Sequence, residues 1–184
     1  MTPIVTAILS LVLQQSAVPP PLEQVTANCA APVYASDQLI CSDPELRDAE
    51  VHIGELWRTA GPNASSGPWL EPQDAWFRRR ALCAFQTQHR ACLLSANAER
   101  ITVLSTPTQI PARPVSARCT SHGSTQTVSL DRSNGWVAAY DQQGLAWLAL
   151  RTNGDWKPFV SWTGGRTLTF KRLDGSQLNC RINR

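Results

Sequence analysis

The sequence predicts two domains: a small disulfide-bonded all-α N-terminal domain followed by a small antiparallel β-barrel. Apolar residues recur three and four positions apart up to about residue 104, which is typical of helices. A proline-dense stretch, residues 105–115, comes next. From residue 116 to 184, seven short β-rich runs alternate with glycine turns, which is typical of strands, and the fifth run covers about residues 156–162. We therefore assign residues 22–104 to the helical domain, 105–115 to a stiff linker and 116–184 to the barrel.

The chain begins with an uncharged segment, residues 1–17, which contains an apolar run over residues 3–13. This run has the length of a signal-peptide core and is too short to span a bilayer. Ser16 and Ala17 provide small side chains for cleavage. We therefore expect a signal peptide over residues 1–17, a periplasmic or secreted protein, and no transmembrane segment.

The longest predicted helix starts near Asp43 and Pro44, with either Ser42 or Asp43 as its N-cap. Gly61-Pro62-Asn63 is expected to end it. A second helix should open at Pro72, a third should cover about residues 89–104, and residues 29–40 form a further candidate helix.

One helical stripe combines apolar and polar side chains. Its members follow at spacings of three, four, seven and ten residues: Gln73, Trp76, Phe77, Arg80 and Cys83. We expect Arg80 to be partly buried, with its guanidinium stacked on an aromatic ring or bridged to Asp37 or Glu50. Its neighbours Arg78 and Arg79 are expected to be exposed. The stripe, including Gln73 and Trp76, is therefore interpreted as a structural motif.

The six cysteines favour three disulfides in an oxidising compartment, because their number is even and no Cys-x-x-Cys occurs. A bond between Cys119 and Cys180 would join the first and last strands of the barrel and contribute roughly 4 kcal/mol. Sequence alone leaves the remaining pairing open. We expect Cys29 and Cys41 each to bond with one of Cys83 and Cys92, since the two pairs belong to different helical segments.

Nothing in the sequence indicates catalysis. No nucleophile elbow, nucleotide-binding glycine loop or zinc-ligand spacing occurs, and the scattered His52, His89 and His122 do not match a metal site. We therefore expect a protein that is not an enzyme, with no cofactor, no catalytic residues and no nucleic-acid partner. A hydrolase of the cell envelope would need a site that the sequence does not show.

Charge is distributed unevenly along the chain. Residues 22–104 hold ten acidic and seven basic side chains, a net charge of −3. Residues 113–184 hold ten basic and four acidic side chains, a net charge of +6. An electrostatic partner should therefore prefer one half of the molecule.

Residues 29–104 resemble the LprI-like family of secreted bacterial proteins, which is named after a lysozyme inhibitor. The resemblance rests on Cys29, Ile40-Cys41, Asp43-Pro44-Glu45-Leu46, the Gln-x-x-Trp-x-x-x-Arg-x-x-Cys signature from Gln73 to Cys83, and Cys92-Leu93 with Arg100-Ile101. Asn97 stands where that family has a Tyr. Residues 116–184 look more faintly like the MliC-type lysozyme-inhibitor barrel, through strand rhythm and the Cys119 and Cys180 pair.

These resemblances imply a non-enzymatic binder of the cell envelope that inhibits a lysozyme-like muramidase. We expect the contact on the acidic helix face that contains Asp43, Glu45, Asp48 and Glu55. The alternative is an envelope-binding module whose basic barrel holds anionic glycan, peptidoglycan or lipid headgroups. The sequence leaves the target, the oligomeric state and the domain orientation open.

Overall fold

The computed structural model describes residues 25–64, 69–107, 109–132, 135–151 and 155–183, and the predicted signal peptide lies outside these ranges. The chain starts with helices and ends with strands. The helices are α1 (Ala35–Ser42), α2 (Pro44–Ala64), α3 (Gln73–Ala81), a 3-10 helix (Leu82–Phe85) and α4 (His89–Ser105). Asp43 caps α2, because its Oδ1 accepts a hydrogen bond from the Leu46 N–H at 3.2 Å.

Seven strands then form a closed barrel in sequence order. They are β1 (Val115–Ser121), β2 (Ser124–Arg132), β3 (Trp136–Asp141), β4 (Gly144–Leu150), β5 (Val160–Gly164), β6 (Thr167–Arg172) and β7 (Gln177–Ile182). β1 and β7 pair antiparallel with Cys119 opposite Cys180, and a disulfide joins these two residues as predicted. The helical region and the barrel therefore agree with the predicted succession of elements.

Two predicted boundaries are wrong. The α2 helix continues through Gly61 and Pro62 to Ala64. The fifth strand begins at Val160 instead of residue 156, and it pairs with β4 in parallel, through Leu150 and Ser161. A parallel neighbour requires the chain to return to the same end of the sheet, and the expected all-antiparallel meander has no such return.

The predicted pairing of the four N-terminal cysteines is also wrong. Cys29 bonds to Cys41, and Cys83 bonds to Cys92, with Cα atoms 5.3 and 5.5 Å apart. Both separations lie in the usual range for disulfides. Each bond therefore closes a local segment, and the helical segments are held to one another by buried side chains.

The barrel contributes to two groups of buried side chains. Val137 and Ala139 of β3 point into the barrel interior, and the alternating Ala138 and Tyr140 belong to a buried cluster that also contains side chains of the helices. The Tyr140 hydroxyl donates to the Pro107 carbonyl at 3.1 Å. The outer side of β3 and β4 thus packs on the helical region, and the division into two domains joined by a stiff linker stays a prediction.

Candidate binding surfaces

Arg80 is the centre of a buried ionic cluster. Its Nη2 lies 3.1 Å from Asp37 Oδ1, its Nη1 lies 3.2 Å from Glu50 Oε1, and none of the three side chains is more than 4% exposed. The guanidinium carbon lies 4.3 Å from the centre of the Phe77 ring and 5.5 Å from that of Trp76. Arg80 is therefore both stacked and bridged, and it is fully buried where partial burial was expected. Burial raises the pKa of Glu50, although the nearby Arg80 opposes the shift.

Gln73 holds a second buried arginine. Its Oε1 accepts hydrogen bonds from Arg100 Nε at 2.8 Å and Nη2 at 2.6 Å, and Arg100 Nη1 donates to the Glu71 carbonyl at 3.0 Å. Trp76 lies between the two arginines, 5.5 Å from each guanidinium carbon. Burial lowers the pKa of Arg100 to about 10. Gln73, Trp76 and Arg80 are all buried, so they brace the helices and are not available to a partner.

Arg79 joins the helices to the barrel, although we predicted it to be exposed. Its Nη2 lies 2.6 Å from both Glu71 Oε2 and Glu99 Oε1, and its Nη1 donates to the Lys157 carbonyl. Its guanidinium lies 4.0 Å above the Trp156 ring, whose Nε1 donates to Glu99 Oε2 at 2.7 Å. Sequence analysis missed this cluster because its members come from four separate segments.

Two carboxylates of this junction border a small cavity. Glu71 and Glu99 line it together with Arg100 and apolar side chains of both regions, and it offers about 10 Å³, which is close to one water molecule. Burial raises the pKa of Glu99. A pair of carboxylates beside a cavity is a common acid–base arrangement. Here, however, Arg79 binds both groups and the space is too small for a substrate, so the geometry favours a structural role.

Only part of the predicted acidic face of α2 is free to contact a partner. Asp43 and Glu45 both accept hydrogen bonds from Arg90, at 2.7 and 2.5 Å, and this pairing lowers the pKa of Asp43. Asp48 and Glu55 are exposed, and no ion pair to either occurs within the described residues. They lie seven positions apart, which places them on one side of the helix. The surface thus retains two free carboxylates of the four predicted.

The barrel carries a surface that we call the basic face, on strands other than β3 and β4, which pack on the helices. It consists of the outward-pointing residues of three adjacent strands, β6, β7 and β1, all exposed or half-buried. The strand β1 contributes Ser116, Arg118 and Thr120, β7 contributes Gln177, Asn179 and Arg181, and β6 contributes Thr167, Thr169 and Lys171. The basic face therefore holds three positive charges and no negative one.

Two of these charges lie directly opposite each other. Arg118 is paired in register with Arg181, and both point outward because Ala117, Cys119 and Cys180 next to them are buried. Within the described residues, no carboxylate lies within ion-pair distance of either arginine. Like charges that face each other across strands destabilise a sheet. The presence of two arginines at facing positions is therefore not explained by a contribution to barrel stability.

The neighbours of the two arginines are neutral hydrogen-bonding groups. Thr120 bonds to Thr125 at 3.0 Å, and Thr169 donates to Asn179 at 3.0 Å. Two acidic side chains of the barrel turns bond locally: Asp141 accepts from the Gln143 N–H, and Asp174 accepts from the Ser176 N–H. The basic face is thus an ordered polar surface with unneutralised positive charge.

The described residues contain no group of three or more His, Cys, Asp or Glu side chains arranged to hold a metal ion. None of the described helices is long and apolar enough to cross a membrane. No family model matches this chain, and neither the curated proteins nor the solved structures provide a match.

Proposed function

We propose that the protein is a non-enzymatic, periplasmic or secreted binding protein that holds an anionic component of the cell envelope on the basic face of its barrel. The observation that carries this proposal is the unneutralised pair of Arg118 and Arg181 in register on adjacent strands. The three disulfides are compatible with an oxidising compartment outside the cytoplasm.

The spacing of the two arginines suits an oxyanion. Side chains directly opposite each other on adjacent strands have Cβ atoms about 5 Å apart, so two guanidinium groups can approach one phosphate or carboxylate group. The surrounding threonine hydroxyls and the Asn179 amide are donors and acceptors for sugar hydroxyls. A charged glycan, which repeats both kinds of group, fits this surface best.

The experiment compares two double variants of equal charge. Arg118→Gln/Arg181→Gln removes two positive charges from the basic face, and Arg47→Gln/Arg58→Gln removes two from exposed positions on α2. Binding to purified cell-wall sacculi and to an anionic glycan is measured by sedimentation at low and high salt. We expect the barrel variant to bind about tenfold more weakly, with a shallower salt dependence, and the α2 variant to bind like wild type.

Equal losses in the two double variants would contradict a dedicated surface, because they would show that net charge alone drives binding. Absence of wild-type binding even at low salt would overturn the proposal outright.

Inhibition of a lysozyme-like muramidase is the second candidate function. The observation that favours it is the pair of exposed carboxylates, Asp48 and Glu55, on one side of α2. In a cell-wall lysis assay with lysozyme, Asp48→Asn/Glu55→Gln should weaken inhibition, because c-type lysozymes are basic and attract negative charge. Glu45→Gln is the control, since Arg90 already binds Glu45. No inhibition by wild-type protein at high micromolar concentration would remove this candidate.

A further inference from the structure

Arg172 lies at one mouth of the barrel, next to Lys171 of the basic face in sequence. It is the last residue of β6 and pairs in register with Val160, a buried residue of the barrel interior. Paired residues point to the same side of a sheet, so Arg172 belongs to the inward-facing series of Leu168 and Phe170. Its guanidinium carbon lies 4.0 Å from the centre of the Trp147 ring, which in turn packs against Phe170 with 6.3 Å between ring centres.

One edge of this guanidinium has no acceptor. The Arg172 Nε and Nη2 atoms are both buried, and neither has a hydrogen-bond partner among the described residues. These two N–H groups point in parallel and form the edge with which arginine binds a carboxylate or phosphate bidentately. A buried donor that lacks an acceptor is costly, and here two adjacent donors lack one.

The nearest acidic group does not complete the site. The Asp174 carboxylate is close enough to act electrostatically on Arg172, but it accepts a hydrogen bond from the Ser176 N–H at 2.8 Å within the β6–β7 turn. That turn is tight: the Gly175 N–H donates to the Arg172 carbonyl, and Gly175 has a positive φ of 84°. Leu173, Asp174 and Gly175 are exposed, so the turn forms the solvent side of the site.

We propose that this mouth of the barrel binds one oxyanion group, the carboxylate or phosphate of a small ligand, through Nε and Nη2 of Arg172. Trp147 provides the flat surface on which the guanidinium is held. The site is independent of the basic face, because Arg118 and Arg181 point outward whereas Arg172 belongs to the inward-facing series.

The test uses the mature full-length chain labelled with ¹⁵N. The Arg172 Nε–H resonance, assigned by its loss in Arg172→Lys, is followed during titration with sodium acetate and with sodium phosphate, each compared with sodium chloride at equal ionic strength. We expect a saturable downfield shift of the proton with at least one oxyanion and none with chloride. The anion that saturates at lower concentration identifies the ligand as a carboxylate or a phosphate.

The indole N–H resonance of Trp147 in the ¹⁵N-labelled chain, assigned by its loss in Trp147→Phe, extends the test to variants. Arg172→Lys keeps the charge but loses the two parallel donors, so it should bind the anion about tenfold more weakly. Arg118→Lys on the basic face should bind it like wild type. A response that chloride reproduces, or that does not saturate, would overturn the proposal. A second pair of results would also overturn it: no response of the wild-type protein to either oxyanion, together with a shift of the Arg172 resonance in Asp174→Asn without added anion. Asp174 itself would then be the group that binds Arg172.

Discussion

Charged side chains are used in opposite ways in the helical region and on the barrel surface. In the helices, Arg80 and Arg100 are almost fully buried and are held by carboxylates, a glutamine and aromatic rings. On the barrel, Arg118 and Arg181 are exposed, face each other and have no carboxylate partner among the described residues. The same residue type is therefore buried and paired in one region, and is exposed to solvent without a carboxylate partner in the other.

The physical basis of this difference is solvation. A buried charge has lost its hydration, so removing one member of a buried ion pair leaves the opposite charge in the interior with neither water nor a partner. An exposed arginine stays hydrated, so its ion pairs contribute little to stability. The comparison leads to four predictions, which begin with the largest expected effect.

The first prediction concerns the buried ionic cluster. Arg80→Leu should lower the free energy of unfolding by about 3–5 kcal/mol, because Asp37 and Glu50 stay buried without their cation. Urea denaturation measures the change. Arg78→Leu, which breaks a pair with Asp74 that is 54% and 41% exposed, should cost below about 1 kcal/mol. Equal losses in the two variants would contradict the special role of the buried arginine.

The second prediction compares disulfides of the two regions. Replacing Cys119 and Cys180 by Ala should cost about 4 kcal/mol, because the bond closes a loop with a sequence separation of 61. Replacing Cys83 and Cys92, with a separation of 9, should cost about 3 kcal/mol. Urea denaturation of both double variants measures the two losses in unfolding free energy and shows which is larger. A larger loss from the helical pair would mean that local packing outweighs loop closure.

The third prediction concerns pH at the junction of helices and barrel. Burial raises the pKa of Glu99 in the folded protein above its ordinary value of 4.5. Its contribution to stability is therefore complete below about pH 4.5 and is lost as pH rises through the folded pKa. Glu99→Gln should flatten the decrease in unfolding free energy as pH rises above about 4.5. Glu50, whose pKa is also raised, will preserve part of that decrease.

Asp43 provides the control of opposite sign. Arg90 lowers the pKa of Asp43, so its contribution is present above about pH 3.8 and is lost as pH falls. Asp43→Asn should therefore flatten the decrease in the free energy of unfolding as pH falls below about 3.8. An unchanged pH profile in Glu99→Gln would show that Arg79 keeps Glu99 ionised throughout.

The fourth and smallest effect concerns the basic face. Arg118→Thr should raise the free energy of unfolding by roughly 0.2–1 kcal/mol, because it removes a like-charge repulsion across the strands. Arg181→Thr should act in the same direction, and the double variant should gain little more, since either change removes the same repulsion. A loss of stability in both single variants would indicate a structural role for the pair and would weaken the proposed binding surface.

Much of the fold was accessible from local patterns. Asp43 and Pro44 marked the start of α2, and turn residues marked most of the strands. The burial of Arg80 followed from its position on an apolar stripe. By contrast, Arg78 and Arg79 are adjacent in sequence and look alike, yet the first is exposed and the second half-buried at the junction. Their difference depends on Trp156 and Glu99, which lie far away in sequence.

The sequence by itself determined the order of helices and strands, the Cys119–Cys180 bond and the segregation of charge, because these depend on periodicity, turn residues and composition. Only the tertiary structure decided the parallel pairing of β4 and β5, the local disulfides of the helical region, the junction at Arg79 and the opposition of Arg118 and Arg181. Strand register and long-range packing place side chains from remote segments within a few ångströms of one another, and periodicity within a segment carries no information about that distance.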